Sequence, residues 1–567
     1  MKKANERICS RWPEWAVLVL FAALLTLVSV FHEPWLDEAQ SWQIAKCASL
    51  REILLEIPHN EGHPPLWHLI LLIPAKLGVP FEPGLKCVGL LISTAAVAVL
   101  LFCSPFPRPV RLLLPFSYFI FYQYGVIVRP YGLMFLSFYL LAIAFRTRSE
   151  KPWRFFFALL FLCLCSAYGL VFAGGVSLVW LTEIFAQHRS GRGYSLKGLV
   201  RDRRVHALLV LLLIALLLIA EFMPRPDTYA VTLAQENSFL IRFLIMLFSL
   251  IPESLCIMSS WFSSISLLAW GEIEVAYLLP ALLLGLLAWF GLWLLSPKGR
   301  FGYFAVPYLL FSIFGAIVYF YAHHTGLALG FLLFWLWTAL EDADCGENGR
   351  RLLKRLETSV PDIRARLRRF RIPALLVCCL PLLIPVYWTV NSAVLDIRNN
   401  YAPGRELARY LEENGLSERK IMGCWMDQKQ DEDGDGEDDS EVLVTSILYH
   451  MTEINAYFDR NICFNLKEGR ADKAYLTHVR LDEEAERAAL ASWSKTVPEV
   501  LVGMPDLESV YGDAVTEADF APVHQLNTGF IWKGRQKLGS VIVYVRKDLL
   551  EPLGLEEITL EPTFMVG

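Results

Sequence analysis

Two adjacent carboxylates are the first residues of this 567-residue chain that could do chemistry: Trp35-Leu-Asp37-Glu38-Ala-Gln-Ser-Trp42 places Asp37 and Glu38 just beyond the first apolar run. Acids in a loop ordinarily face water. Here the bulky Trp35, Leu36 and Trp42 point instead to a partly buried place at a membrane edge, where a carboxylate can have its pKa tuned for work as a general base. Further on stands His59-Asn-Glu61-Gly-His63-Pro-Pro-Leu-Trp-His68. Its order is not the His-Glu-x-x-His of zinc proteases, and Gly62, Pro64 and Pro65 forbid the continuous helix that motif needs. Two readings stay open for it: a metal held by Glu61 with a distant histidine, or a Pro-rich turn in which Glu61 and His63 cap an interface helix. Arg129, in Tyr122-Gln-Tyr-Gly-Val-Ile-Val-Arg129-Pro-Tyr131, is either an interfacial anchor or a guanidinium shaped to hold phosphate, with Tyr124 and Tyr131 beside it. His323 and His324, in the turn Tyr321-Ala-His323-His324-Thr-Gly326, are metal ligands, phosphate partners or plain interfacial residues.

What must position these groups is a membrane. The chain is 55% hydrophobic and 19% charged, and its apolar residues come in runs of roughly 20, the length that crosses a bilayer. Disorder, a collagen-like fibre and a small disulfide scaffold are excluded by that balance. The runs fall near 15–31, 85–103, 112–128, 131–145, 153–167, 170–187, 205–221, 275–295, 301–321, 326–340 and 372–390, about eleven transmembrane helices, with a break at Ser166-Ala-Tyr-Gly169. The first follows a basic start but no small-residue cleavage site, so it reads as a retained helix. Residues 66–79 and 239–270 are apolar but broken by Pro74 and by Pro252-Glu253; they read as segments resting on the interface, the second alternatively as a hairpin crossing twice.

Charge sets the expected orientation. With the N-terminus cytoplasmic, the inside connections hold 27 of the 34 Lys/Arg of residues 1–390, as the positive-inside rule requires. Every candidate residue above then lies at an outer helix end, 32–84 becomes a large first external loop, and 391–567 becomes an extracytoplasmic domain of a cell (plasma or inner) membrane protein. That tail has 18 Lys/Arg against 33 Asp/Glu, net −15, while residues 1–390 are net +10; nucleic acid is not an expected partner. The tail reads as a soluble α/β domain, with a helix over 404–414 ended by Gly415 and strands at 420–425, 499–502 and 540–545. Its acidic insertion, 427–441, opens like a calcium loop but puts Val442 where the twelfth-position glutamate belongs, and so reads as a solvated insertion. The twelve cysteines form no Cys-x-x-Cys pair; Cys424 and Cys463 could bridge in an oxidising compartment.

A first span followed by Trp-x-Asp-Glu, then Gly-His-Pro-Pro-Leu-Trp entering an interface helix, then Arg-Pro-Tyr at the next external turn, resembles the GT-C superfamily of membrane glycosyltransferases. Within it the pattern is most similar to bacterial protein O-mannosyltransferase and aminoarabinose transferase-like proteins (glycosyltransferase family 39-like). The resemblance covers residues 1 to about 190 in motifs and the whole membrane part in layout. It implies transfer of a sugar, with inversion, from a polyprenyl-phosphate-linked donor to a lipid, glycan or protein acceptor. Asp37, with Glu38 next to it, would supply the base; Arg129, with Tyr131, would hold the carrier phosphate; Glu61 and His63 would bind a metal or face the acceptor. Arg129-Pro-Tyr131 lacks the second acidic residue some relatives carry, which leaves a divalent metal cofactor open. No nucleotide cofactor is expected. The rival readings are a transporter or flippase for lipid-linked sugars, a sugar polymerase or ligase, and a non-catalytic membrane scaffold with an external binding domain.

Overall fold

The computed structural model describes residues 11–190, 196–223, 225, 238–257, 275–318, 320–359, 371–424, 450–465, 474–476, 482–561 and 565–566. Twelve helices organise the membrane part: α1 (Trp12–Phe31), α2 (Leu36–Cys47), α3 (Leu66–Lys76), α4 (Phe81–Cys103), α5 (Pro130–Phe145), α6 (Pro152–Cys165), α7 (Ala167–Ser190), α8 (Arg203–Phe222), α9 (Val275–Leu295), α10 (Gly302–Ile317), α11 (Gly326–Leu340) and α12 (Arg371–Arg398). Among the described residues five helical stretches are long and apolar enough to cross a membrane, namely α1, α4, α7, α8 and Ala322–Leu340, and five shorter apolar helices accompany them. The chain is a multi-pass helical membrane protein.

Sequence accounts for most of these boundaries. Pro13, Pro130 and Pro152 stand in the first turns of α1, α5 and α6, where a missing N–H costs nothing. The break between α6 and α7 falls at Ser166, which is extended (φ −170°, ψ 158°). Its hydroxyl accepts the Tyr168 N–H at 3.2 Å, and a Cβ on Gly169 would come within 2.1 Å of the Leu162 carbonyl oxygen. Only glycine lets the chain re-enter a helix that closely. In the bundle interior Phe172 stacks on Phe311 at 4.6 Å and on Phe331 at 4.5 Å, joining α7, α10 and α11.

Two expectations are corrected. The third expected span, 112–128, is not one continuous α-helix: a short helix Arg108–Leu113 passes into a 3-10 turn at Leu114–Phe116 and then a π-helical stretch, Phe119–Val126. Pro115 and the extended Ser117 interrupt the α-helical ladder there. Nor does the 239–270 segment rest on the interface from Ile245 to Glu253, although Phe239, Leu240 and Ile241 before it are exposed. Ile245, Met246, Leu250, Ile251 and Glu253 are buried in the bundle, and the Leu247 carbonyl accepts the Trp289 indole N–H from α9 at 2.8 Å; residues 258–270 lie outside the described set.

The tail begins with α13 (Gly404–Glu413), ended at Gly415 with φ +65°. Strands β1 (Ile421–Gly423), β2 (Val500–Val502), β3 (Phe520–Thr528) and β6 (Gly539–Arg546) form a sheet in the order β1-β2-β6-β3, parallel between β1 and β2 and antiparallel elsewhere. Val541, Val543 and Val545 alternate onto the face that packs with Leu407 and Leu411 of α13. Cys424 and Cys463 are buried thiols, not a disulfide. The acidic 427–441 insertion lies outside the described residues.

Between β3 and β6 a hairpin, β4 (Ile531–Trp532) and β5 (Arg535–Lys537), turns at Lys533 and Gly534, both with positive φ (47° and 80°), the geometry of a type I′ turn. It enters the bundle. The Lys533 ammonium, fully buried, donates to the Glu253 carboxylate at 2.6 Å and to the Glu253 and Ile257 carbonyls at 2.8 and 2.7 Å. It also lies 4.7 Å from the ring centre of Trp388 in α12.

Candidate active site

Glu33 and Pro34 link α1 to α2, and Asp37 and Glu38 fall in the first turn of α2, where the helix dipole favours negative charge. Successive helical residues point about 100° apart, and these two carboxylates part company. Glu38 turns inward: it accepts the Val128 N–H at 2.7 Å, the Trp35 N–H at 3.2 Å and a ring N–H of His32 at 3.2 Å. The other His32 nitrogen donates to Asp396 of α12 at 3.0 Å, and Asp396 also accepts the Tyr122 hydroxyl at 3.0 Å. Burial alone would lower the His32 pKa, but the flanking Asp396 and Glu38 carboxylates outweigh it and push it up to about 10. His32 is therefore an imidazolium between two carboxylates, and the first loop is tied to α12.

Asp37 turns the other way and pairs with Arg129. Arg129 is placed by the start of α5, extended at φ −133°, ψ 169° ahead of Pro130; one residue earlier Val128 is held by Glu38. Its guanidinium lies 5.5 Å from the Trp35 ring centre and 5.2 Å from that of Tyr131, a cation–π sandwich. It donates to His323 Nε2 at 3.3 Å. Since arginine only donates, a neutral His323 keeps its proton on Nδ1, a buried atom with no hydrogen-bond partner in the structure.

His324 is fixed on both sides. Its Nδ1 accepts the Tyr321 N–H at 3.0 Å and its Nε2 meets the Tyr131 hydroxyl at 2.6 Å. The Tyr124 hydroxyl donates to the His323 carbonyl at 2.7 Å. Glu61, at the end of a short helix closed by Gly62 (φ +63°), accepts the Gln40 amide at 3.0 Å. His63 Nδ1 is buried without a hydrogen-bond partner. Burial, and then the Arg129 charge, lower the His63 pKa to about 4 against the opposing pull of Glu61, so the ring is neutral near pH 7.

The structure thus brings Asp37, Arg129, Tyr131, His323 and His324 into one connected cluster, with His63 under the influence of Arg129. It sets Glu38 apart as a buried support. Among the described residues no group of three or more His, Cys, Asp or Glu side chains is placed to hold a metal ion. Sequence reasoning missed His32, Asp396 and Tyr122. Asp396 carried a usable signal, an ionisable residue at the end of an apolar run.

No family model and no curated protein matches the chain. Its structure is similar to those of an aminoarabinose transferase. Two crystal structures of ArnT from Cupriavidus metallidurans align with it, one bound to undecaprenyl phosphate (13% identity, TM-score 0.40) and one in the apo state (15%, 0.41). Each alignment covers 93% of this chain and 97% of the other.

Proposed function

We propose that this chain transfers a sugar from a polyprenyl-phosphate-linked donor to an acceptor hydroxyl at the outer face of the membrane, inverting the anomeric centre. The observation that carries the reading is the half-open Asp37–Arg129 pair, 30% and 13% exposed at the side chains. It stands where the apolar helices end, with the buried, unpartnered Nδ1 atoms of His323 and His63 in the same cluster. A lipid carrier keeps its hydrocarbon in the bilayer and its phosphate at the interface, so its reacting carbon arrives at such a place.

A carboxylate paired with a guanidinium is a weak base. A phosphate that takes the Arg129 guanidinium, which suits its planar fork, leaves the Asp37 carboxylate available as the donor binds. The acceptor oxygen then attacks the anomeric carbon while its proton passes to Asp37. The bond from that carbon to the phosphate oxygen breaks with its electron pair, and Arg129 stabilises the charge gathering on the departing phosphate. One displacement inverts the centre. Glu61 and His63 are assigned to the acceptor side, and Tyr131 holds its place through His324.

The test is transfer of a labelled sugar from a synthetic polyprenyl-phosphate donor by the purified full chain, with Asp37→Asn as control. Transfer by the parent and not by the variant supports the reading. Equal transfer by both, or none by the parent, overturns it; movement of the intact donor across a vesicle membrane would favour a flippase.

A further inference from the structure

Gln40 stands one turn beyond Asp37 in α2 and is buried; the two are about 60° apart round the helix. Both ends of its carboxamide are engaged. Oε1 accepts the Leu476 N–H at 2.9 Å, while Nε2 donates to the Leu476 carbonyl at 2.6 Å and to Glu61 Oε1 at 3.0 Å. An amide nitrogen carries two hydrogens and an amide oxygen none, so the backbone of Leu476 fixes which way the group faces. Turned over, it would set Oε1 against a carbonyl and a carboxylate at once.

Leu476 belongs to the tail, 436 positions from Gln40. Its neighbour Tyr475 is buried in one cluster with Ile44, Ala48, Ile53 and Ile57. Ile57 opens the short helix that Glu61 ends. The tail therefore grips that helix at both ends, through Tyr475 at Ile57 and through the Gln40 amide at Glu61. Glu61 in turn acts on His63, opposing the loss of basicity that burial and the Arg129 charge impose.

We propose that Gln40 is a positioning residue for the transfer reaction: it holds the Glu61 carboxylate toward the acceptor, and the tail sets that hold through Leu476. The inference rests on the transfer reading and on the place of Glu61 at its acceptor side. It gives the tail a part in the reaction that needs no tail side chain on the substrate. Only backbone atoms of Leu476 meet the amide, so the side chain at that position carries no sign of the link.

The test exchanges the pair. Gln40→Glu keeps the bond from the Leu476 N–H but sets two carboxylates together, and Glu61→Gln removes the acid. The double variant restores an amide facing a carboxylate and moves the acid from position 61 to position 40. Each full-length protein is assayed for labelled-sugar transfer from the polyprenyl-phosphate donor, for its unfolding midpoint, and by titration with polyprenyl phosphate bearing no sugar. Gln40→Glu is expected to lose transfer about 10- to 100-fold, the worth of a hydrogen bond to a charged group. The double variant is expected to unfold later than Gln40→Glu without regaining transfer, and to bind the sugar-free carrier as the parent does. Recovery of transfer together with stability would make the pair structural and overturn the proposal. Full transfer by Gln40→Glu or by Glu61→Gln, or weaker carrier binding by the double variant, would do the same. Should the proteins with Gln40→Glu not fold, Tyr475→Ala decides: it is expected to cost transfer several-fold in the parent and nothing further in Glu61→Gln, and equal losses in both backgrounds overturn the inference. A parent that transfers no sugar fails the transfer reading and takes this inference with it, whereas any of the overturning results beside an active parent leaves that reading standing.

Discussion

Asp37 and Glu38 occupy the same helical turn, yet the Glu38 side chain is 1% exposed and engaged on both oxygens while that of Asp37 is 30% exposed and pairs with the Arg129 guanidinium. Glu38 belongs to a closed chain, Glu38–His32–Asp396–Tyr122, in which every charged group is buried and hydrogen-bonded. Asp37 belongs to an open one, where a ligand can replace a partner. Residue type does not separate support from chemistry here; exposure to an incoming molecule does.

The largest effect that would test this contrast is on stability. Removing one member of a buried ion pair strands the others, at roughly 3–5 kcal/mol. Glu38→Ala is therefore expected to lower the thermal unfolding midpoint sharply, and a variant that unfolds normally but lacks activity would erase the distinction between the two acids. Asp37→Asn should do the reverse, leaving the unfolding midpoint in place while sugar transfer falls by about 100-fold or more. Near-normal transfer would remove Asp37 from the mechanism.

Arg129 sharpens the open side. Arg129→Ala loses both charge and fork, and donor-lipid titration should show affinity weakened about 10- to 100-fold, in line with the value of hydrogen bonds to charged groups. Arg129→Lys keeps the charge alone and should fall in between. Equal affinities for all three proteins would make the arginine a simple anchor.

The smallest effect is the pH dependence of stability, and the two histidines act on opposite flanks. His32, raised from 6.5 to about 10, binds its proton more tightly folded than unfolded. Its contribution is complete below pH 6.5 and is lost as pH rises through 10. His63, lowered from 6.5 to about 4, stays neutral in the fold while the unfolded chain protonates, so stability falls as pH drops from 6.5 toward 4. Unfolding midpoints across that range should show a shallower acid-side slope in His63→Gln and keep the alkaline one. An unchanged acid slope would show that His63 does not titrate this way.

Much of this layout was legible from runs of hydrophobic residues and from proline and glycine. The Ser166 break and the first helix follow from local chemistry, and the strands near 421, 500 and 540 from alternation, whereas α3 runs through Pro74 to Lys76. The π-helical stretch over 119–126 was not legible, because hydropathy reports what a segment touches and not how its backbone is wound. β3 escaped for a similar reason: Pro522 and the polar His524, Gln525 and Asn527 mask a strand that is defined by its partner β6. In the site, Asp37 and Arg129 could be read as candidates from their neighbours. His32 and Asp396, 364 positions apart, could be joined only by the packing of α12 against the first loop.

The Lys533 hairpin sets an order of events during synthesis. Glu253 leaves the ribosome 280 residues before the lysine that matches it, and the helix that carries it must enter the bundle early. A chain still short of residue 533 cannot supply that ammonium group. The membrane part therefore reaches its final packing only after the tail has been delivered to the same side and its hairpin has been threaded home. Chains truncated within the tail are expected to be recognised as immature rather than to persist as bundles lacking a domain.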